Sequence, residues 1–559
     1  MKKQTRAALF LFIAILTPVL AGAAKSGFAL RRPLRVDSDD KSIPLPKARQ
    51  VSDMYAVLYN SWLRHLSLEV ALEKKQPALN VNAWDEVPDS SWFTNRIGVR
   101  PLSFDEVTKG LEGRPPDAAP WRVDRRNDSG YTPKVEIQDA TGQRYVLKFD
   151  PKGARERNSG AERIGTLIMW AAGYNVPHNT IAYFRPDDLK FDDKSSYRDP
   201  FGKQRRLTRE DVEAVLNGLD PMPDGRYRGI ASLYLPGNPL GPFIFTGRRK
   251  DDPNDLIPHE LRREIRGMKV IAAWINHVDI KDAQAMDMYH TSPDGRKFVR
   301  HYMLDLSATL GAYEWPIAPY RVGHEYMFDG STMGRSFLSL GLWRRPWEVS
   351  GKVEHQEVGY FSPELFAPDK WKPSFPNLAF ENMDDGDGYW GAKIVTSFSA
   401  EMIRKLAEAG DYSRPEVTKY VESTLRARRD AVGAYWLNRV TPLEEISLAG
   451  SLINFRDLAS DRGFAVASPR EYRFRVETLD RKRLTADAIA RAVDLPSLLQ
   501  LASKAAVPTA DRHGRIPILL VRIESRKNER EWALPVEVVL GRSVNNPELK
   551  VLGWTHATR

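Results

Sequence analysis

The stretch 271–311 constrains the fold most, because each of its two apolar runs ends at an aspartate. The first run continues a segment with helical spacing, 260–276, and leads to Asp279. The second run has the residues of a strand and ends at Asp305. Residues 292–295, with the sequence SPDG, are typical of a tight turn. The pattern therefore predicts a helix and a hairpin that each end at a carboxylate.

A carboxylate before a short polar loop, with a second carboxylate at a strand end, suits phosphoryl transfer, in which one acid orients the acceptor hydroxyl and the other holds a metal against the phosphates. Asp279 would orient the acceptor, and Lys281 would stabilise the transferring charge. Asp305 would bind Mg²⁺, with the amide oxygen of Gln284 and the carboxylate of Asp287 as further ligands. The alternative is a helix C-terminal loop with solvated charges.

Upstream of these acids, the sequence predicts two strands, 134–138 and 144–149, joined by the turn 139–142. Lys148 lies on the second strand, where a lysine beside a phosphate-binding loop would contact the phosphates of a nucleotide. The polar loop that precedes the first strand contains Ser129 and Gly130 and would cover those phosphates. The alternatives are a solvated strand lysine and a plain turn.

A helix predicted over 159–172 carries Glu162, which would form an ion pair with Lys148 and orient it. The competing interpretation is a capping box, because 159–162 reads SGAE. In that case Glu162 would only close the start of its own helix.

The order of these segments resembles the atypical protein-kinase-like superfamily, most closely the HipA-type kinases, with lipid-kinase-like and spore-coat-type kinases as relatives. The segments that carry the resemblance are 129–134, 146–149, 162–177, 276–284 and 304–307. It implies an α+β, two-lobed kinase-like fold, with a small antiparallel sheet lobe and a helical lobe, and ATP and Mg²⁺ as cofactors.

The resemblance also implies roles for single residues. Ser129, Gly130, Lys148 and Glu162 would bind the nucleotide, Asp279 and Lys281 would be catalytic, and Asp305 and Gln284 would bind the metal. Two departures favour an alternative, a catalytically inactive pseudokinase that binds a partner in the cell envelope. Gln284 stands where the family has asparagine, and 306–307 reads LS where many relatives have FG.

Composition shifts along the chain predict several parts. These are an extension (52–120), a kinase-like domain (121–440) and a β-rich C-terminal domain (441–559). Within the kinase-like domain, 121–185 is the predicted small lobe and 186–440 the large lobe with an aromatic-rich insertion over 315–393. Two local predictions accompany this division: turns over 384–388, with a weak calcium signature, and a helical piece over 486–504.

The N-terminus predicts export. A basic start, 1–6, precedes an apolar run, 7–24, which is either a signal peptide or a membrane anchor, and 25–51 reads as a linker. We expect the bulk of the chain to be periplasmic or anchored in the inner membrane facing the periplasm. The chain has no cysteine, which excludes disulfides, thiol nucleophiles and lipoprotein anchoring.

The net charge of +10 comes without a long basic tract. It favours a phosphate ligand or an anionic surface over nucleic acid. We therefore expect a nucleotide as a partner, with an unassigned acceptor and membrane contact through the N-terminus if it is uncleaved.

Overall fold

A computed structural model describes most of the chain. The described residues are 39–66, 76–127, 134–198, 203–313, 321–449, 452–465, 470–485, 487–490, 510, 514–526 and 531–558. The predicted leader and two predicted nucleotide-binding residues, Ser129 and Gly130, lie outside them. In the part that is described, no helix combines the length and the apolar character that a membrane crossing requires.

Helices are spread over the whole chain before the C-terminal sheet. In chain order they are α1 Asp53–Ser61, α2 Phe104–Lys109, α3 Arg157–Ala172, α4 Arg209–Leu216, α5 Arg263–Ile275, α6 Gly330–Leu338, α7 Pro346–Ser350, α8 Leu378–Glu381, α9 Asp385–Val395, α10 Ala400–Glu408, α11 Pro415–Trp436 and α12 Leu458–Asp461.

A largely antiparallel sheet forms the small lobe. Its strands are β1 Trp121–Asn127, β2 Lys134–Gln138, β3 Arg144–Phe149, β4 Asn179–Phe184, β5 Leu189–Lys190, β6 Ser196–Arg198, β7 Gln204–Arg206 and β8 Tyr227–Leu233. The order across the sheet is β4-β8-β3-β2-β1-β6-β7, and β5 pairs with β1. Because β8 lies between β3 and β4, the sheet extends beyond residue 185, the predicted end of the small lobe.

The turn between β2 and β3 forms where the sequence predicts it. Asp139 accepts hydrogen bonds from the backbone N–H groups of Thr141 and Gln143, both at 3.0 Å. Gly142 takes a positive φ of 86°, which glycine adopts without steric cost. This turn fixes the register of the hairpin, so that Lys134 pairs with Lys148 across β2 and β3.

Helix α5 is the centre of the helical lobe and packs against α9 and α11. The predicted helix 260–276 is confirmed, with a 3₁₀ turn over His259–Leu261 before it. Its apolar side chains are buried, and Trp274 packs against Phe398. The helix ends at Asn276, whose left-handed backbone (φ 49°) turns the chain toward the cleft between the two lobes.

The hairpin after α5 is also confirmed and consists of β10 Ala285–Thr291 and β11 Lys297–Met303. A short strand, β9 Asn238–Pro239, pairs with β10. A 3₁₀ segment, Leu306–Gly311, follows β11 and packs on α3. The two aspartates that the sequence singled out therefore lie at the same end of this hairpin.

The prediction of turns over 384–388 is wrong, because α9 covers this segment. Asp384 is the N-cap of α9 and accepts the backbone N–H of Asp387 at 2.9 Å. Asp387 is buried beside the guanidinium of Arg263, at 3.1 Å. The glycines that suggested turns instead permit close packing, since a Cβ on Gly388 would clash with Trp436. Tertiary packing here overrides the low helix propensity of glycine.

Two further sheets form the C-terminal part. Strand β12 Leu443–Ala449 pairs with β13 Leu452–Asp457. The strands of the larger sheet are β14 Tyr472–Glu477, β15 Ala488–Ala490, β16 Arg515–Ser525, β17 Val536–Ser543 and β18 Asn546–His556. Their order across the sheet is β15-β14-β16-β17-β18. The helix predicted over 486–504 is wrong where it is described, because β15 pairs with β14. The predicted α+β class, with a small sheet lobe, a helical lobe and a β-rich C-terminal part, is confirmed.

Candidate functional site

A cleft of about 540 Å³ lies between the sheet lobe and the helical lobe. Of the predicted site residues that the structure describes, all but Asp287 line it: Lys148, Glu162, Asp279, Lys281, Gln284 and Asp305. The volume is within the usual range of small-molecule sites, about 300–1,000 Å³. Side chains that are far apart in the sequence thus converge on one cavity.

Lys148 is the centre of the charged cluster. Its Nζ lies 2.7 Å from Oε1 of Glu162 and 3.3 Å from Oδ1 of Asp305. Strand β3 positions it, because the neighbouring side chains of Leu147 and Phe149 point to the opposite face of the sheet and are buried there. The interpretation of Lys148 as a solvated strand lysine is therefore wrong.

Glu162 is fully buried on α3 and does not cap that helix. Helix α3 begins at Arg157, so Ser159 lies inside its first turn rather than at the N-cap. Asp150, which precedes the helix, accepts a hydrogen bond from the backbone N–H of Ser159 at 2.8 Å. Its carboxylate thereby provides an acceptor for one of the free N–H groups in the first turn. The capping-box interpretation is wrong, and Oε1 of Glu162 instead accepts hydrogen bonds from Lys148 and from Asn179, the latter at 3.1 Å.

Asp305 lies at the end of β11 in a left-handed conformation, with φ 47°. Its Oδ1 accepts hydrogen bonds from Lys148 and, at 2.6 Å, from the hydroxyl of Ser307. Burial disfavours the carboxylate, but the charge of Lys148 and the Ser307 hydroxyl outweigh it and lower the pKa of Asp305. Burial also disfavours the Lys148 ammonium, but Asp305 and Glu162 raise its pKa. The lysine and Asp305 therefore remain charged at neutral pH.

The loop after α5 holds Asp279 between two side chains. Nε2 of Gln284 donates to Oδ2 of Asp279 at 2.8 Å, and Nζ of Lys281 lies 3.2 Å from Oδ1. The loop is anchored at Asn276, which donates to the carbonyl of Tyr360 at 2.9 Å. These contacts orient the Asp279 carboxylate before any ligand arrives.

The prediction that Asp287 is a metal ligand is wrong. Its side chain is fully buried, and its carboxylate is bonded to Arg49 at 3.1 Å, to Arg249 at 2.8 Å and to His301 at 2.6 Å. Asp287 does not line the cleft, and these partners neutralise its charge. It therefore stabilises the hairpin and does not bind a ligand.

Sequence reasoning missed Lys134 as a residue of the cleft. It lies on β2 directly opposite Lys148 and lines the same cavity. Burial and the charge of Lys148 lower its pKa. The predicted hairpin turn already implied this register, so strand pairing was the signal that would have identified a second lysine.

The cleft residues fit a nucleotide with Mg²⁺. Magnesium usually takes one or two protein carboxylates together with phosphates and water, and Asp305 has an Oδ2 that accepts no hydrogen bond from the described residues. Gln284 is adjacent, because its carbonyl accepts the N–H of Leu304 at 2.8 Å. No cluster of three or more acidic or histidine ligands occurs within the described ranges. An Mg²⁺ ion held by Asp305 and Gln284 would take its other ligands from phosphates and water.

Part of the cleft wall is apolar, which suits a nucleobase. Ile230 from the sheet lobe and Phe375 from the helical lobe line this part. At the mouth, α1 contributes Met54 and the segment before α6 contributes Phe328.

Comparisons with known proteins add little. No family model matches the chain, and no curated protein does. One solved structure that is similar is titled "Crystal structure of the golgi casein kinase", with a TM-score of 0.29 and 8% identity over 59% of this chain and 76% of that one. A likeness at this score assigns neither fold nor activity, and the HipA-type resemblance stays a prediction.

Proposed function

We propose that this protein is a phosphotransferase that uses ATP and Mg²⁺ in the cleft between its lobes. The observation that carries the proposal is the contact of Lys148 with both Glu162 and Asp305, in a cavity that Asp279 also lines. A buried lysine fixed by a helix glutamate, beside two acids in separate roles, is what phosphoryl transfer requires.

Each side chain has a distinct role in this proposal. Lys148 and Lys134 bind the phosphates, and Asp305 with Gln284 holds Mg²⁺, which neutralises phosphate charge when bound. Asp279 accepts the proton of the acceptor hydroxyl. The acceptor itself is unassigned. Export to the periplasmic side, through the N-terminal run, belongs to the same proposal.

The second candidate is a non-catalytic protein of the cell envelope that binds a partner through the same scaffold. The hydrogen bond from Nε2 of Gln284 to Asp279 favours this candidate, because the bond occupies one carboxylate oxygen of the proposed base. Both candidates predict a folded cleft, so only ligand binding and turnover separate them.

The first experiment is a thermal-shift titration with ATP, with and without Mg²⁺. A ligand at about 100 times its Kd stabilises the folded state by about 2.7 kcal/mol. We expect a Mg²⁺-dependent rise in Tm for the wild type and its loss in Asp305→Asn. Glu548→Gln, a change at an exposed acid of the C-terminal sheet, is the matched control and keeps the rise. No rise in the wild type refutes nucleotide binding.

Turnover then separates the two candidates. Radiolabelled ATP with a mixture of hydroxyl acceptors, or release of ADP, measures transfer. We expect Asp279→Asn to keep the Mg·ATP thermal shift and to lose turnover, by about 10²–10⁴-fold for removal of a general base. A thermal shift without any turnover in the wild type supports the non-catalytic candidate.

A further inference from the structure

A group of exposed apolar side chains lies at the C-terminal end of α6, in the helical lobe. Segment 337–342, here named the apolar tip, comprises the end of α6 and the turn that follows it. Phe337, Leu338, Leu340 and Leu342 are 79%, 83%, 88% and 85% exposed. Single exposed apolar residues are ordinary, but four within one short turn mark an interaction site.

Cations flank the apolar tip on both sides. Arg335 lies in the last turn of α6, Arg344 follows the tip, and both are exposed. The nearby carboxylates of Glu325 and Glu348 are bonded to Arg345, at 2.8 and 2.6 Å, and do not neutralise these two arginines. An apolar centre with arginines on either side complements a surface whose interior is apolar and whose boundary is anionic.

The base of the tip has the residues typical of a membrane interface. A second cavity, of about 520 Å³, lies there and is lined by Arg335, Trp343, Trp347, Lys370 and other residues. The guanidinium of Arg335 lies 5.8 Å from the centre of the Trp343 ring. Tryptophan is enriched at the level of lipid headgroups, where its ring is half in apolar and half in polar surroundings.

We infer that the apolar tip docks this protein on an anionic phospholipid surface, with Phe337, Leu338, Leu340 and Leu342 in the acyl region. Arg335 and Arg344 then lie at the headgroup phosphates. A protein partner fits less well, because a stable protein interface buries about 800 Å² and about 20–30 residues on each partner, whereas the tip is a single segment of six residues. Shallow insertion of apolar side chains with basic flanks is how interfacial segments bind bilayers.

This membrane site is separate from the predicted N-terminal anchor, and it fixes an orientation that a tether at the terminus does not. Phe328 at the cleft mouth precedes α6, and the tip lies at the other end of that helix. A helix of 9 residues is about 13 Å long. Docking through the tip therefore holds the cleft mouth close to the bilayer.

The absence of cysteine allows a site-specific test in the full chain. Leu340→Cys is labelled with an environment-sensitive fluorophore and mixed with vesicles of phosphatidylglycerol and phosphatidylcholine, or of phosphatidylcholine alone. Val544→Cys, at a residue 61% exposed on the C-terminal sheet, is the matched control. The probe reports the tip itself, even where the N-terminal run also holds the chain on the vesicle.

We expect a blue shift of the label at position 340 on the anionic vesicles, a smaller one on the zwitterionic vesicles, and none at position 544. Arg335→Gln with Arg344→Gln weakens the response on anionic vesicles by about fivefold for each arginine. The inference is overturned by an absent shift at 340 or by an equal shift at both probes. It is also overturned by a shift that needs no vesicles and grows with protein concentration, which would identify a second copy as the occupant.

Discussion

Replacement of Lys148 by methionine tests the charged cluster at the centre of the cleft. Methionine keeps most of the apolar stem but removes the ammonium that contacts Glu162 at 2.7 Å and Asp305 at 3.3 Å. Glu162 has no exposed surface, and it would retain a single hydrogen bond of those described, from Asn179 at 3.1 Å. The substitution therefore leaves the buried carboxylate of Glu162 without an ion-pair partner.

The structure sets the size of the effect. Removing one partner of a buried ion pair costs about 3–5 kcal/mol, because the remaining charge stays desolvated. The side chain of Asp305 is 31% exposed, so water screens its contact with Lys148. Loss of that contact adds about 1 kcal/mol or less to the cost of the substitution. A second change, Glu162→Gln in the same chain, removes the stranded charge and keeps an oxygen for Asn179. We expect the double variant to recover about 2 kcal/mol or more of the loss.

Urea denaturation followed by circular dichroism and tryptophan fluorescence measures these free energies of unfolding. The pH dependence has a definite sign. Burial raises the pKa of Glu162 even beside Lys148, and loss of the cation raises it further above the unfolded value of about 4.3. The penalty of Lys148→Met is therefore present above that pH and shrinks as the pH falls. The slope is at most about 1.4 kcal/mol per pH unit. A loss below about 1 kcal/mol in Lys148→Met, or additive effects of the two substitutions, would refute a coupled buried pair.

Three further predictions concern other parts of the site and its support. Burial raises the pKa of Asp305, but the charge of Lys148 outweighs this effect and lowers it. The carboxylate therefore stabilises the fold fully above its unfolded pKa of about 3.9, and the stabilisation is lost as the pH falls toward its folded pKa. We expect the Tm difference between wild type and Asp305→Asn to narrow from about pH 5 to about pH 3. Gly229→Ala places a Cβ 2.5 Å from the carbonyl oxygen of Lys148, so β3 must shift. Titration calorimetry should show Mg·ATP binding weakened at least tenfold, or about 1.4 kcal/mol, and an unchanged affinity would contradict this prediction. Trp92→Ala removes a buried ring stacked 3.5 Å from His301 and should cost about 3–5 kcal/mol in urea denaturation, while Trp84→Ala at a 42% exposed ring costs less.

Local patterns predicted the elements that carry the site. Helical spacing identified α5, and turn residues identified the hairpins β2–β3 and β10–β11, since these signals act between neighbours in sequence. The patterns failed where packing decides. The glycines at 386 and 388 lie in a helix because α9 packs closely on α5 and α11, and Asp287 is an internal ion-pair partner because arginines from distant segments reach it.

By itself the sequence determined which side chains were available: a strand lysine, a helix glutamate and two acids at the ends of apolar runs. Only the tertiary structure decided that Glu162 bonds to Lys148 rather than to its own helix start, and that β8 completes the sheet side of the cleft. The reason is physical. Spacing along a chain fixes which face a side chain occupies, whereas desolvation and charge pairing depend on segments more than a hundred residues apart, as for Lys148 and Asp305.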